Sequence, residues 1–334
     1  MARVTIRDVA ELAQVSTATV SRALSGAKPV SPAVVDQVRR AADELGYAGN
    51  GIASALRRSR TDTVGMVVPS IANPFFTGLV EHVEHALQDA GRQLFLCSSR
   101  SDPELEAQRL RSLVARQVDG IIISPVHGSL STTAVRRAAD ELPLVQVDRY
   151  VTGVDSDWVG VDDDAALELV MEHLADRGVR SAAFVSSQLT NSSTELRVAG
   201  FHRHAERLGI AVREEDVLLG EYSIEWGRQA AVTLLAAGPR PDAVVCADDL
   251  IALGMLQACA AAGVDVPRDL LVTGFDDIPF AALSHPPLTT VRQPQAEIAA
   301  EAVRLLSRVL GAQEAPPSRV ALRPSLTVRS STSR

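Results

Sequence analysis

The side chains with the most chemistry to offer lie just after short apolar runs: Ser70 to Phe76, Ser98 to Asp102, Asp148 and Arg149, Ser187 to Arg197, Asp248 and Asp249, and Asp276 and Asp277. Carboxylates accept hydrogen bonds from hydroxyls, arginine donates through a planar fork, and aromatic faces stack on rings. This mixture suits recognition of a polyhydroxylated or nucleoside-like molecule. Catalysis has less support. Asp248 and Asp276 offer carboxylates to a sugar, but there is no Ser/His/Asp order, phosphate-cradling glycine loop or HExxH motif. The acids are more simply hydroxyl acceptors, and neither an enzyme nor a cofactor is expected. A metal site is not expected either. Asp162-Asp-Asp, with Asp155 and Asp157 nearby, lacks the DxDxDG spacing of a calcium loop, and His82 and His85 lack a third ligand.

A second set of residues points to DNA. Ile6 to Ser25 has the spacing of a helix-turn-helix: Ala10 is small enough for a close helix crossing, Val9, Leu12, Val15, Val20 and Leu24 supply an internal core, and Ser16 starts the second helix. Its outer face is then Thr17, Ala18, Ser21 and Arg22. Arg22 can reach a guanine O6/N7 pair, Thr17 and Ala18 offer methyl contact, and Thr5, Thr19 and the helix termini suit phosphates.

Charge follows the same division. Residues 1 to 60 hold nine Lys or Arg against five Asp or Glu, a balance of +4, whereas the remainder carries −12 and the whole chain −8. A basic head neutralises phosphate, and an acidic body is repelled by it.

At 334 residues the chain exceeds one compact lobe and suits a small head with a larger body. Three helices are expected in the head, Ile6 to Ala13, Thr17 to Ser25 and roughly Pro32 to Leu45. Ser16 and Ser31 are placed to cap the second and third, and Gly26 and Gly46 to terminate helices. From about Thr61 the pattern changes. Apolar strand candidates at 63–69, 92–98, 119–125, 142–148, 181–186, 242–247 and 269–275 alternate with helical candidates at 75–90, 103–117, 163–177, 194–208, 225–237, 248–262 and 295–310. Alternation of this kind gives parallel sheets covered on both faces, and two sheets are needed for so many strands. Ligands bind such sheets outside the carboxyl ends of the strands, where the polar clusters fall.

The N-terminus has no apolar leader, no later stretch is long enough to span a membrane, and Cys97, Cys246 and Cys259 form no CxxC pair. A cytoplasmic protein with reduced thiols is expected.

The run Val4 to Ser25, centred on V-S-T-A-T-V-S-R-A-L, resembles the lactose/galactose repressor family, and the likeness continues through Pro29-Val-Ser-Pro and Glu44-Leu-Gly-Tyr and across the body. Gln14 stands where the family usually has a glycine, which glutamine can replace if the backbone there is not left-handed. The resemblance implies a helix-turn-helix head over 1–46, a hinge over 47–61 and an effector-binding and dimerisation body over 62–334. The body would be two-lobed and periplasmic-binding-protein-like, with doubly wound parallel sheets, an N-lobe of about 62–161 and 292–320 and a C-lobe of about 162–291 and 321–331. It further implies a homodimer on a near-palindromic operator, most simply a repressor, controlled by a small molecule. In the hinge, Asn50, Ala53 and Leu56 share a face, and Leu56 matches the leucine that the family wedges into the minor groove.

For the sensor, the resemblance assigns ligand contacts to Phe75 or Phe76, Asn191, Ser193, Arg197 in its R-x-x-G-F setting, and Asp276. It places Asp148, Tyr222 and Asp248 facing the same pocket. On spacing alone a phenylalanine there is expected in the core before the pocket. Within each aspartate doublet the first is expected to bind ligand and the second to hold structure. A sugar or oligosaccharide fits this set, and a nucleoside or purine stays open. A transport solute-binding protein is the alternative for the body alone, opposed by the basic head.

Overall fold

The computed structural model describes residues 4–25, 30–47, 61–311 and 316–333. Contacts divide the chain into two units, 1–62 and 63–334. The hinge residues Asn50, Ala53 and Leu56, and Gly26, lie outside the described residues.

The first unit holds α1 (Ile6–Leu12), α2 (Thr17–Ser25) and α3 (Pro32–Leu45). Thr5 and Asp8 cap α1 reciprocally, with the Thr5 amide and hydroxyl donating to Asp8 Oδ2 at 2.7 and 2.8 Å. Ser16 caps α2 by accepting from the Thr19 amide at 3.1 Å. Ser31 occupies the cap position of α3 but makes no side-chain cap bond, so Pro32 at the first helical position sets that start. Gly46 ends α3 with φ +62°.

Two expectations for the head need correction. Val9, Ala10, Ala13, Val20 and Ala23 pack against Val38, Ala41 and Ala42 of α3, with Val15 partly buried, but Leu12 and Leu24 are 44% and 40% exposed. The third helix approaches on the alanine side, and the two leucines fall on its flanks. Gln14 has φ +46°, so the turn is left-handed after all and glutamine accepts the conformation that glycine adopts freely.

The second unit contains two six-stranded sheets. The first has the order β11-β5-β4-β3-β1-β2, from β1 (Thr63–Val68), β2 (Gln93–Ser98), β3 (Gly120–Ile123), β4 (Leu144–Val147), β5 (Asp157–Val161) and β11 (Arg319–Leu322). All its ladders are parallel. One face is covered by α4 (Pro74–Asp89) and α11 (Gln295–Leu310), the other by α5 (Pro103–Ala115) and α6 (Thr132–Glu141). The second sheet runs β12-β10-β9-β8-β6-β7, from β6 (Ala182–Ser187), β7 (Val217–Gly220), β8 (Ala243–Cys246), β9 (Leu271–Asp276), β10 (Thr289–Arg292) and β12 (Ser325–Thr327); only β12 is antiparallel to its neighbour. Its covering helices are α7 (Asp163–Ala175) and α8 (Ser192–Leu208) on one face, α9 (Ile224–Ala236) and α10 (Asp249–Ala261) on the other. Buried on both faces, the central strands are nearly continuous apolar runs.

The chain passes between the lobes after β5, β10 and β11. Ala321 and Leu322 belong to the first sheet, two residues beyond the boundary expected at 320, because β11 pairs with β5 as far as Leu322↔Val161.

A left-handed conformation costs a side-chain-bearing residue about 1–2 kcal/mol, part of which glycine's greater unfolded entropy offsets. Gln14→Gly should therefore stabilise the head by about 1 kcal/mol, read as slower amide hydrogen exchange in α1 and α2 of the full chain; unchanged or faster exchange would show that the turn is relaxed as it stands.

Candidate functional site

Between the lobes of the second unit lies a cleft lined by Asn73, Phe75, Phe76, Asp148, Arg149, Ser193, Arg197, Tyr222, Asp248 and Asp276. Eight of the nine expected ligand contacts meet there. Asn191 does not line it: its Oδ1 accepts from the Thr194 amide at 3.1 Å and the Thr194 hydroxyl at 3.2 Å, so it caps α8 and sets the helix that carries Ser193 and Arg197. Phe75 and Phe76 serve both purposes, each 3% exposed in the first lobe's core while lining the cleft.

Arg197 is 4% exposed. Its Nε donates to Asp163 Oδ1 at 2.7 Å, its Nη1 donates to the Ala247 carbonyl at 2.7 Å, and the guanidinium lies 3.5 Å from the Phe275 ring centroid. Burial works against this charge, but Asp163, Tyr222, Asp276 and Asp148 outweigh it and hold the arginine more firmly protonated than usual. Burial pushes Asp163 and Asp248 up to about 6 despite Arg197, and raises Asp148 and, strongly, Asp276 as well.

The doublets divide the labour as expected for their second members. Asp249 is tied to the Thr290 hydroxyl at 2.6 Å and the Ile278 amide at 2.8 Å. Asp277 pairs with Arg292 at 2.6 Å and Arg329 at 2.7 Å. Of the first members, Asp248 caps α10 through Oδ1, which accepts from the Ile251 amide at 2.8 Å, and its buried Oδ2 has no partner. Asp276 Oδ1 accepts from Gln293 Nε2 at 2.7 Å. Asp148 Oδ2 receives the Ser124 hydroxyl at 3.3 Å.

Asn73, Arg149 and Gln293 were not assigned ligand roles from the sequence. Asn73 and Arg149 fall in the strand-end clusters, and only their position marks them. Gln293 follows β10, a strand whose TTVR sequence gives little apolar signal. The Arg149 guanidinium lies 5.7 Å from the Phe76 ring centroid and 5.3 Å from that of Tyr222, so it touches both lobes. The Tyr150 amide donates to Ser192 Oγ at 2.9 Å and the Gly128 amide to the Thr190 carbonyl at 2.6 Å, joining the lobes beside the cleft.

In the head, Thr17, Ala18 and Arg22 are exposed, and Ser21 and Thr19 are half-buried. Arg22 Nε donates to the Ala18 carbonyl at 3.1 Å, laying the side chain along the outer face of α2. The hydroxyls of Thr5, Ser16 and Thr19 are engaged in capping.

A helix-turn-helix head joined to a two-lobed body with a polar interlobe cleft defines a ligand-responsive DNA-binding regulator. The sequence pattern of bacterial regulatory proteins of the lacI family matches residues 5–50, and that of a periplasmic binding protein-like domain matches residues 171–332. The chain is 31% identical over 327 residues to the ribose operon repressor of Escherichia coli (strain K12), covering 98% of this chain and 99% of that one. It is 30% identical to the HTH-type transcriptional repressor PurR of Mannheimia succiniciproducens, covering 98% of each. Among solved structures, a lac repressor dimer bound to operator and the anti-inducer ONPF is 28% identical with a TM-score of 0.89 over 99% of both chains. A transcriptional regulator CelR–cellobiose complex is 32% identical with a TM-score of 0.74, covering 98% of this chain and 100% of that one. The chain belongs to the lacI family of bacterial regulatory proteins, and it is a DNA-binding transcriptional regulator.

The pH dependence of the body follows from the raised carboxylates. An unfolded aspartate titrates near 3.9, and Asp248 in the folded body titrates at about 6. The folded form holds this proton more tightly, so the contribution to stability is present at low pH and lost as pH rises through about 6. Asp248→Asn keeps an acceptor for the Ile251 amide without the buried charge. In the absence of ligand it should melt higher than the parent at pH 7.5, with the gap narrowing as pH falls from about 6 toward 3.9, by differential scanning fluorimetry; an equal difference at high pH and below the unfolded aspartate's range would remove Asp248 as the source.

Proposed function

We propose that this regulator is a repressor that binds a near-palindromic operator as a homodimer, reading bases through Thr17, Ala18, Ser21 and Arg22, and that a small molecule in the interlobe cleft controls its hold on DNA. The carrying observation is the cleft itself, where Arg197 and the carboxylates of Asp148, Asp248 and Asp276 converge with Phe76 and Tyr222. This supports a sugar effector, as do relatives named for ribose and cellobiose. Asp248 and Asp276 each spend one carboxylate oxygen on a helix cap or a glutamine amide, which favours acceptor roles over catalytic ones. Among the described residues no helix is long and apolar enough to cross a membrane, which is in keeping with action on DNA in the cytoplasm. Coupling between effector and operator in such switches is typically worth about 1–3 kcal/mol.

The direct test is a fluorescence anisotropy titration of the full chain against pooled near-palindromic duplexes of about two helical turns, with and without sugars and nucleosides. Tight, salt-sensitive binding altered by one compound supports the switch, whereas ligand binding without binding to any duplex overturns it. A bidentate arginine–guanine contact discriminates by about 1–3 kcal/mol, so Arg22→Ala should lose roughly 10- to 100-fold in specific affinity while non-specific binding stays within a few-fold. Equal loss on all sequences would exclude base reading. Arg197→Lys keeps a charge beside Asp163 without the planar fork. It should retain operator affinity and shift the effector dose response more than tenfold, and an unchanged dose response would remove Arg197 from recognition.

A further inference from the structure

The first lobe carries a second cavity, on the face away from α4 and α11. It is a groove of about 820 Å³ between α5 and α6, within the roughly 300–1,000 Å³ of sites for small molecules. Its floor is apolar. Ala107, Leu110 and Val114 come from α5 and Ala134 and Ala138 from α6, the outer side of the core that these helices share with the sheet. Leu130, in the turn before α6, lines the groove with 65% of its surface exposed.

Each wall contributes one arginine, Arg111 from α5 and Arg137 from α6. Both are exposed, and among the described residues neither guanidinium is taken up by a carboxylate or a carbonyl. The acidic side chains of the groove stand at the ends of its helices. Asp102 spends Oδ1 on capping α5, accepting from the Glu104 and Leu105 amides at 2.7 and 3.2 Å. Glu104 sits in the first turn of that helix, and Glu141, the last residue of α6, makes no ion pair with Arg137.

An apolar floor between two unengaged guanidiniums matches a molecule of complementary make-up, an apolar chain or ring that ends in one anion. The chain gains by leaving water, and a carboxylate gains charge-assisted hydrogen bonds from planar donors. A polyol has no use for such a floor, and a cation is repelled by Arg111 and Arg137.

We propose that this groove is a second ligand site, separate from the interlobe cleft, for an amphipathic monocarboxylate whose tail lies on Ala107, Leu110 and Ala134 and whose head pairs with Arg111 and Arg137. Its occupant touches Leu130, in the loop after β3 that also carries Gly128, whose amide donates to the Thr190 carbonyl of the second lobe at 2.6 Å. The groove thus abuts one of the hydrogen bonds that join the lobes.

Isothermal titration calorimetry of the full-length chain with decanoate, octanoate, octanol and octylamine, each below its micellar concentration, tests this. Decanoate should bind roughly tenfold more tightly than octanoate, because two further methylenes leave water. Octanoate should bind about tenfold more tightly than octanol or octylamine. The double variant Arg111→Gln with Arg137→Gln should weaken both carboxylates about tenfold and leave octanol unchanged, a modest loss because the two arginines are exposed. Ala107→Trp fills the floor and should abolish binding; if that variant fails to fold, the exposed arginine pair still decides. Octanol or octylamine binding as tightly as octanoate overturns the anionic assignment, and equal binding of the two carboxylates overturns the apolar floor. Carboxylate binding untouched by the double variant, or binding of no compound in the panel, overturns the site.

Discussion

The interlobe cleft depends on one electrostatic constraint: four carboxylates must be kept out of water around two guanidiniums. The Arg197–Asp163 pair is the fixed point. It ties α8 to α7 within the second lobe, and the Phe275 face and the Ala247 carbonyl complete the arginine's environment. Because both partners are almost fully buried, removing either would strand a charge in a low-dielectric interior, typically at a cost of about 3–5 kcal/mol. The remaining carboxylates have no such match. Burial raises their affinity for protons, because the charged form gives up water without a comparably close cation.

That imbalance explains how a small molecule can act on lobes joined by three crossings. Asp148 follows the first sheet whereas Asp248 and Asp276 belong to the second, so a molecule that donated to all three would hold the lobes together. Its differential affinity for the closed form is then the free energy available to bias the equilibrium. Arg149 adds to it by reaching from the first lobe to Tyr222 of the second. The body enters this arrangement from the head through Thr63, the first residue of β1, so the first lobe is the one continuous in sequence with the DNA-reading unit.

The sequence made the central strands legible because they are buried on both faces, and made most of the cleft legible because strand ends in such sheets carry the ligand chemistry. What escaped has physical reasons. β5 begins with Asp157, a carboxylate buried against Arg308 and the Ser318 amide, so its apolar run is too short to register. α6 buries only Val135 and Ala138 and is otherwise polar. β10 is a threonine-rich strand whose hydroxyls bind Asp249 and Thr332. Asn191 stands at a helix cap instead of in the cleft lining, and a cap and a ligand contact call for the same short polar side chain. Leu12 and Leu24 were placed in a core whose actual seam follows Ala13 and Ala23, since residue type alone does not show from which side a third helix approaches.

Backbone geometry shows why aspartate, rather than any polar residue, occupies the strand ends. Asp148 and Asp277 have φ of +60° and +53°, and Asp276 reaches +111°, outside the left-handed basin. Asparagine and aspartate tolerate positive φ better than most side-chain-bearing residues, so the turn at each carboxyl end favours this pair. The choice between them is then made by charge. At Asp277 the carboxylate answers Arg292 and Arg329 and locks β10 to the residues after β12. At Asp276 and Asp148 it faces the cleft, where an uncharged amide would satisfy the turn equally well and cost less to bury. A positive-φ backbone and a buried carboxylate at the same position are both costly to the fold, and both set acceptors facing the cleft.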